Sequence, residues 1–194
     1  MGNIKKKKNT ALKKKEYIKD SVKYFQEVGY EKANMSKLAK ILDVSVGTLY
    51  KVFVNKENLY LEFILYQIDS FSQVLEKNQT KDPMSNLKIY LEHKYNYFMA
   101  NKKSIELSLA YDPFFVHKLS IDKGHPMDKI FKFLAKQFKE ILKDDKRDYI
   151  HISILFKKLS DGYAESFKIK KFDTSNIIDD TIDLFLNGLL QHTK

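Results

Sequence analysis

Cysteine and tryptophan are absent from this 194-residue sequence, arginine occurs once (Arg147), and only 6 glycines and 3 prolines interrupt it. Without cysteine there is no disulfide, no thiolate nucleophile and no zinc-finger site. No run of about 18 apolar residues occurs, so no segment reads as a membrane span. The start, Met1-Gly2-Asn3-Ile4-Lys5-Lys6, is basic, but no apolar stretch follows it as a secretory signal would require. Gly2 does not complete a myristoylation motif, which needs Ser or Thr where Lys6 stands. A cytoplasmic location is expected.

What is present is apolar matter and positive charge. A hydrophobic fraction of 43% with 13% aromatics suffices for a packed core. The net charge of +10 is unevenly spread: residues 1–60 hold 14 lysines against 6 acids, and the other 134 residues hold 21 basic against 19 acidic. A small basic head on a nearly neutral body points to a polyanionic partner. Lysine in place of arginine, with many Ile, Asn, Tyr and Phe, is also the bias of an AT-rich genome, so lysine content alone decides little.

Apolar residues recur at three- and four-residue spacing, which predicts an all-α chain of about nine helices. The first runs over 13–28, with Ile18, Val22 and Phe25 on one face and Gly29 as its stop. Two short helices follow, then a longer one over 55–76 through Leu59, Phe63, Tyr66 and Phe71. Pro83 opens another, over 84–101. A short piece at 105–111 ends at Asp112-Pro113, and beyond Pro126 a helix runs to about Lys143. The last two cover 149–167 and 174–191. The expected organisation is a basic flexible tail (1–12), a helix-turn-helix domain (13–58) and a C-terminal body (59–194).

The informative stretch is 34–53. Asn34 reads as an N-cap, followed by Leu38, Ala39 and Leu42 as an inward stripe. Asp43 tolerates the left-handed backbone of a turn, Val44 fills the space beneath it, and Ser45 caps a second helix. Leu49 and Phe53, at i and i+4, face the core, which leaves Val46, Gly47, Thr48, Tyr50 and Lys51 outward. Two short helices joined this way make a helix-turn-helix. The major groove of B-DNA, about 12 Å wide, admits one such helix, whose N-terminal residues reach the base edges. Val46 suits a thymine methyl, Gly47 a close backbone approach, and Lys51 a guanine edge. Ser36, Lys37, Ser45, Thr48, Tyr50 and Lys56 supply hydroxyls and cations for phosphates.

The sequence resembles the tetracycline-repressor (TetR) family of regulators in Phe25, Gly29-Tyr30, Leu38-Ala39, Val44-Ser45, Gly47-Thr48-Leu49-Tyr50, Phe53 and Lys56-Glu57. The resemblance covers roughly residues 15–65. Asp43 departs from the family's usual turn Gly, and Val52 stands where an aromatic or His is common. The resemblance implies a homodimer whose helical body binds a small-molecule effector and releases operator DNA, with repression as the default.

In the body, Ile178, Ile182, Phe185 and Leu189 form one apolar stripe of the last helix, beside another ending at Gly188. With Ile152, Leu155, Phe156 and Leu159 on the preceding helix, they are the expected dimer interface, since one helix packed on its own domain needs only about a 100° stripe. Phe63, Tyr66, Phe98, Tyr111, Phe131 and Phe138, with His93, Tyr97 and His117 as polar groups, are the residues expected around an effector. No cofactor, metal or membrane is expected. The five histidines are dispersed, with no HExxH, no phosphate-cradling glycine loop and no nucleophile elbow, which argues against an enzyme. The alternative is a lysine-driven binder of any nucleic acid.

Overall fold

The computed structural model describes residues 2–100, 127–166 and 176–190, and eight helices among them. The chain divides into two compact units, with one boundary at Ser70/Phe71 inside a long helix.

The first unit, the head, contains α1 (Gly2–Lys32), α2 (Met35–Ile41), α3 (Val46–Phe53) and the start of α4 (Lys56–Asn78). α1 differs from expectation at both ends. The basic segment expected as a flexible tail is helical from Gly2, because no Gly or Pro stands between Gly2 and Gly29 to stop it. Gly29 then takes a left-handed φ of 70°, and the chain resumes one short turn to Lys32 rather than ending. A glycine is needed there, since an L side chain at that φ meets its own backbone.

Ile18, Phe25, Leu38, Leu49, Phe53, Leu59 and Phe63 are buried together in one head core. Its centre is aromatic: the Phe25 ring lies 5.1 Å from both Tyr60 and Phe63, tilted or edge-on, as ring quadrupoles prefer. Phe63, expected beside an effector, belongs to this core.

The second unit, the body, contains the end of α4, α5 (Pro83–Ala100), α6 (Asp128–Leu142), α7 (Tyr149–Ser166) and α8 (Ile177–Leu190). The piece expected at 105–111 lies outside the described residues. Asp82 precedes α5 as its cap, taking Ser85 N at 2.9 Å and Ser85 Oγ at 2.6 Å. Those bonds, the side-chain one first, hold its carboxyl below the usual range. Pro83 follows at the first helical position, where a missing N–H costs nothing. The body's core stacks Phe138 against Phe156 at 5.2 Å and Phe156 against Phe185 at 5.0 Å.

That core also holds a charged cluster. Lys94 of α5, 7% exposed, pairs with Asp161 of α7 at 2.6 Å and donates to Ser160 Oγ at 2.6 Å. Lys157 binds the second oxygen of Asp161. Burial pushes the Asp161 carboxyl up, but the two ammonium groups and their hydrogen bonds outweigh it, so its pKa lies below the ordinary value. A carboxyl whose pKa is lower folded than unfolded stabilises the fold above the ordinary carboxylate range, and loses that as pH falls through the lowered value. Removing its charge strands a buried ammonium. Asp161→Asn is therefore expected to cost about 3–5 kcal/mol at neutral pH, read as a drop in urea midpoint. The gap from wild type should close on acidification.

Candidate nucleic-acid interface

α2 is fixed at its start by two side chains. The Asn34 amide nitrogen donates to the Tyr24 hydroxyl at 2.8 Å, and Asn34 Oδ1 accepts from Ser36 N and Lys37 N at 2.9 and 3.0 Å. Leu38 and Ala39 are buried, so the helix sits flush on the core. At its other end Val44 N donates to Ala39 O (2.9 Å) and Asp43 N to Lys40 O (3.3 Å), the paired bonds of a Schellman cap. That cap needs one left-handed residue, and Asp43 supplies it at φ 51°. The turn that usually takes glycine is thus formed with aspartate, whose short polar side chain tolerates the conformation.

Ser45 caps α3, accepting from Thr48 N at 3.0 Å, with the Thr48 hydroxyl 2.8 Å from its own. Leu49 is 0% exposed and Phe53 is buried one turn on. Lys14 of α1 sits behind the end of α3, its ammonium 5.7 Å from the Phe53 ring centre and 2.6 Å from Glu62 Oε1 on α4. α3 ends abruptly. Val54 has φ 62° and ψ −50°, and Asn55 N donates to Phe53 O at 2.6 Å across it, a strained γ-turn for a β-branched residue. Asn55 Oδ1 then takes Asn58 N at 2.7 Å and starts α4.

Ser36, Lys37, Ser45, Gly47, Tyr50 and Lys51 are exposed, and Val46 and Thr48 are half-buried. Gly47 is exposed without any need of the fold: a Cβ there would meet only Ser45 Oγ, at an ordinary 3.9 Å. Lys56 of the expected set is engaged within the head. Its ammonium donates to the carbonyls of Tyr30 (3.0 Å), Ala33 (3.3 Å) and Glu31 (3.4 Å), and lies 4.3 Å from the Tyr30 ring centre. Those carbonyls lie at and just past the C-terminal end of α1, the favoured place for a cation, and they engage the three donors of the ammonium. Sequence reasoning missed Tyr24 and Lys14, whose roles depend on residues 10 and 48 positions away. It also missed Lys40 and Ile41, exposed in the last turn of α2.

The residues expected around an effector fall in both units. Phe63 and half-buried Tyr66 belong to the head, while His93, Tyr97, Phe98, Phe131 and Phe138 belong to the body. Phe138 is fully buried in the aromatic core, and Tyr111 and His117 lie outside the described residues. The expected dimer stripe also divides. Ile152, Phe156 and Ile182 are buried in the body's own core, with Phe185 against Phe156, which accounts for part of α8's apolar width. Leu159 and Ile178 are half-buried, and Leu155 and Gly188 are exposed; the Leu189 side chain lies outside the described residues. Leu184, on the neighbouring stripe that ends at Gly188, is 57% exposed.

Residues 18–63 match the family model described as bacterial regulatory proteins, tetR family. No curated protein matches the sequence. The fold is shared with solved regulators. FadR from Bacillus subtilis, solved with stearoyl-CoA, superposes with a TM-score of 0.67 at 16% identity, over 89% of this chain and 97% of its own. FadR from Bacillus halodurans gives 0.63 at 21% identity over the same shares. AibR, solved with isovaleryl coenzyme A and operator DNA, gives 0.57 at 17%, over 88% of this chain and 96% of its own. These superpositions establish a common fold with solved regulators, and within the head residues 18–63 carry the sequence pattern of the tetR family of bacterial regulatory proteins.

Proposed function

We propose that the protein is a ligand-responsive transcriptional repressor that binds palindromic operator DNA as a homodimer and is released by a small-molecule effector. The observation that carries the DNA reading is the outward face of α3. Gly47, Tyr50 and Lys51 stand at the surface, with Val46 half-buried beside them, while Leu49 and Phe53 anchor the helix from behind. A helix held this way can enter a major groove with its first turn leading. Ser36, Lys37, Lys51 and Tyr50 are the groups proposed to hold phosphate and base edges, with Lys56 acting through the frame of the head.

Homodimerisation is supported by what α7 and α8 leave outside. Leu155 and Leu184 are 45% and 57% exposed, and a Cβ at Gly162 or Gly188 would meet nothing within 4 Å. Leu155, Leu159 and Gly162 recur at helical spacing along α7, as do Leu184 and Gly188 along α8. Apolar side chains beside open glycines let a second helix pair approach closely. For the effector, the stearoyl-CoA of FadR and the isovaleryl coenzyme A of AibR make acyl-coenzyme A thioesters the class to try first.

The founding experiment is selection of bound fragments from random duplexes, followed by titration of the recovered sequence. A preferred palindrome is expected; equal affinity for every duplex would instead establish the lysine-driven nonspecific binder. Gly47→Ala is expected to leave folding intact or raise stability by up to about 1 kcal/mol, since alanine is the better helix former. The same change should weaken operator binding at least tenfold, and a variant binding as well as wild type would refute close approach at that residue. Sedimentation should give about twice 22.9 kDa. Leu155→Glu combined with Leu184→Glu should give monomers with weakened operator binding. Saturating acyl-coenzyme A should lower operator affinity about 5- to 150-fold, the range of a 1–3 kcal/mol coupling; unchanged affinity across chain lengths rejects that class.

A further inference from the structure

The face that α3 turns outward is poor in groups that read bases by hydrogen bonding. Its sequence, Val46-Gly47-Thr48-Leu49-Tyr50-Lys51-Val52-Phe53, has no Asn or Gln to pair with adenine, no Arg to fork onto guanine and no acid to accept from cytosine, which leaves Lys51, past the first turn, as its donor for a guanine edge. The N-terminal turn, the part that reaches deepest into a groove, offers Val46, Gly47 and Thr48. The Thr48 hydroxyl lies 2.8 Å from Ser45 Oγ, which also accepts from Thr48 N, so the cap engages both hydroxyls. Gly47 contributes only room. What remains in that turn is the isopropyl group of Val46, half-buried with one side packed against the head core and the rest accessible. Elsewhere the head exposes apolar surface at Ile41, at the end of α2 (56% exposed), and at Val54, after α3 (69% exposed).

An isopropyl group distinguishes base pairs in the major groove by one feature, the C5-methyl of thymine. We propose that Val46 is a specificity-determining residue that reads a thymine methyl in each half-site, with Gly47 setting the closeness of approach. The inference rests on the DNA-binding reading above and says how that site discriminates. Lysines around the motif then supply affinity that salt erodes, whereas the methyl contact is apolar and keeps its preference as salt rises.

The probe is the duplex recovered by selection, remade with deoxyuridine in place of thymidine one position at a time. That exchange removes the C5-methyl and leaves pairing and the hydrogen-bonding edge unchanged. For wild type, one position per half-site should lose about fourfold on exchange, the worth of one buried methyl, and on the order of tenfold when both halves are exchanged. Val46→Ala should bind the thymidine and deoxyuridine duplexes alike at that position. Wild type binding every deoxyuridine duplex as tightly as its parent overturns the inference, and so does Val46→Ala with the full discrimination. The first of these needs no variant, so poor folding of Val46→Ala cannot shelter the idea. A selection yielding no preferred sequence would instead sink the DNA-binding reading itself.

Discussion

An eight-residue helix does not persist in water on its own hydrogen bonds, because nucleation costs more than so few bonds return. Whatever the head presents outward therefore depends on the burial of Leu49 and Phe53 behind α3. Two fully buried side chains of this size are worth about 1.5–3 kcal/mol each, enough to hold the helix against fraying. The rest of the head serves that seating. Ser45 and the Schellman turn at Asp43 set the angle of entry, and Phe25, Tyr60 and Phe63 build the floor that Phe53 meets. The γ-turn at Val54 ends α3 in one residue, and its strain is tolerable because Phe53 and Leu59 on either side are buried.

Positive charge in this chain has two employments that composition cannot separate. Lys14 braces α1 to α4 behind α3, Lys56 closes the carbonyl end of α1, and Lys94 lies buried between Asp161 and Ser160 in the body. These cations are structural, and each is held by a partner distant in sequence. Lys37, Lys40 and Lys51 stand exposed around the motif. A net charge of +10 thus overstates what is offered to a polyanion.

How far the sequence could be read follows the range of the interactions involved. Asn34, Asp43 and Ser45 were legible because a cap or turn is decided within four residues, and Leu38, Leu49 and Phe53 because helical spacing marks the buried face. The partners of Lys56 were not legible, because its carbonyls lie 23 to 26 positions back. The α7–α8 stripe was read as one surface, yet Ile152, Phe156 and Ile182 pack inward while Leu155 and Leu184 do not. Apolar periodicity says which face of a helix avoids water, not which neighbour covers it. The start of α1 shows the complementary weakness: lysine repetition reads as a solvated tail, although lysine is a sound helix former and no residue there breaks the helix.

The glycines of the described helices are of two kinds. Gly29 is fixed by its backbone, at φ 70°, and its role is complete within the chain. Gly47, Gly162 and Gly188 are different: each sits in a helix, is exposed and leaves space where a Cβ would stand without a clash. In that setting glycine costs about 1 kcal/mol relative to alanine and returns nothing to the fold. In a chain with only 6 glycines, such positions fit the contacts proposed for the two surfaces better than any need of the described fold. Gly47 lies on the helix proposed to meet the duplex, and the other two lie beside exposed Leu155 and Leu184 on the helices proposed to meet a second copy. Glycines that the isolated fold does not need therefore fall on both proposed contact surfaces, one on the head and one on the body.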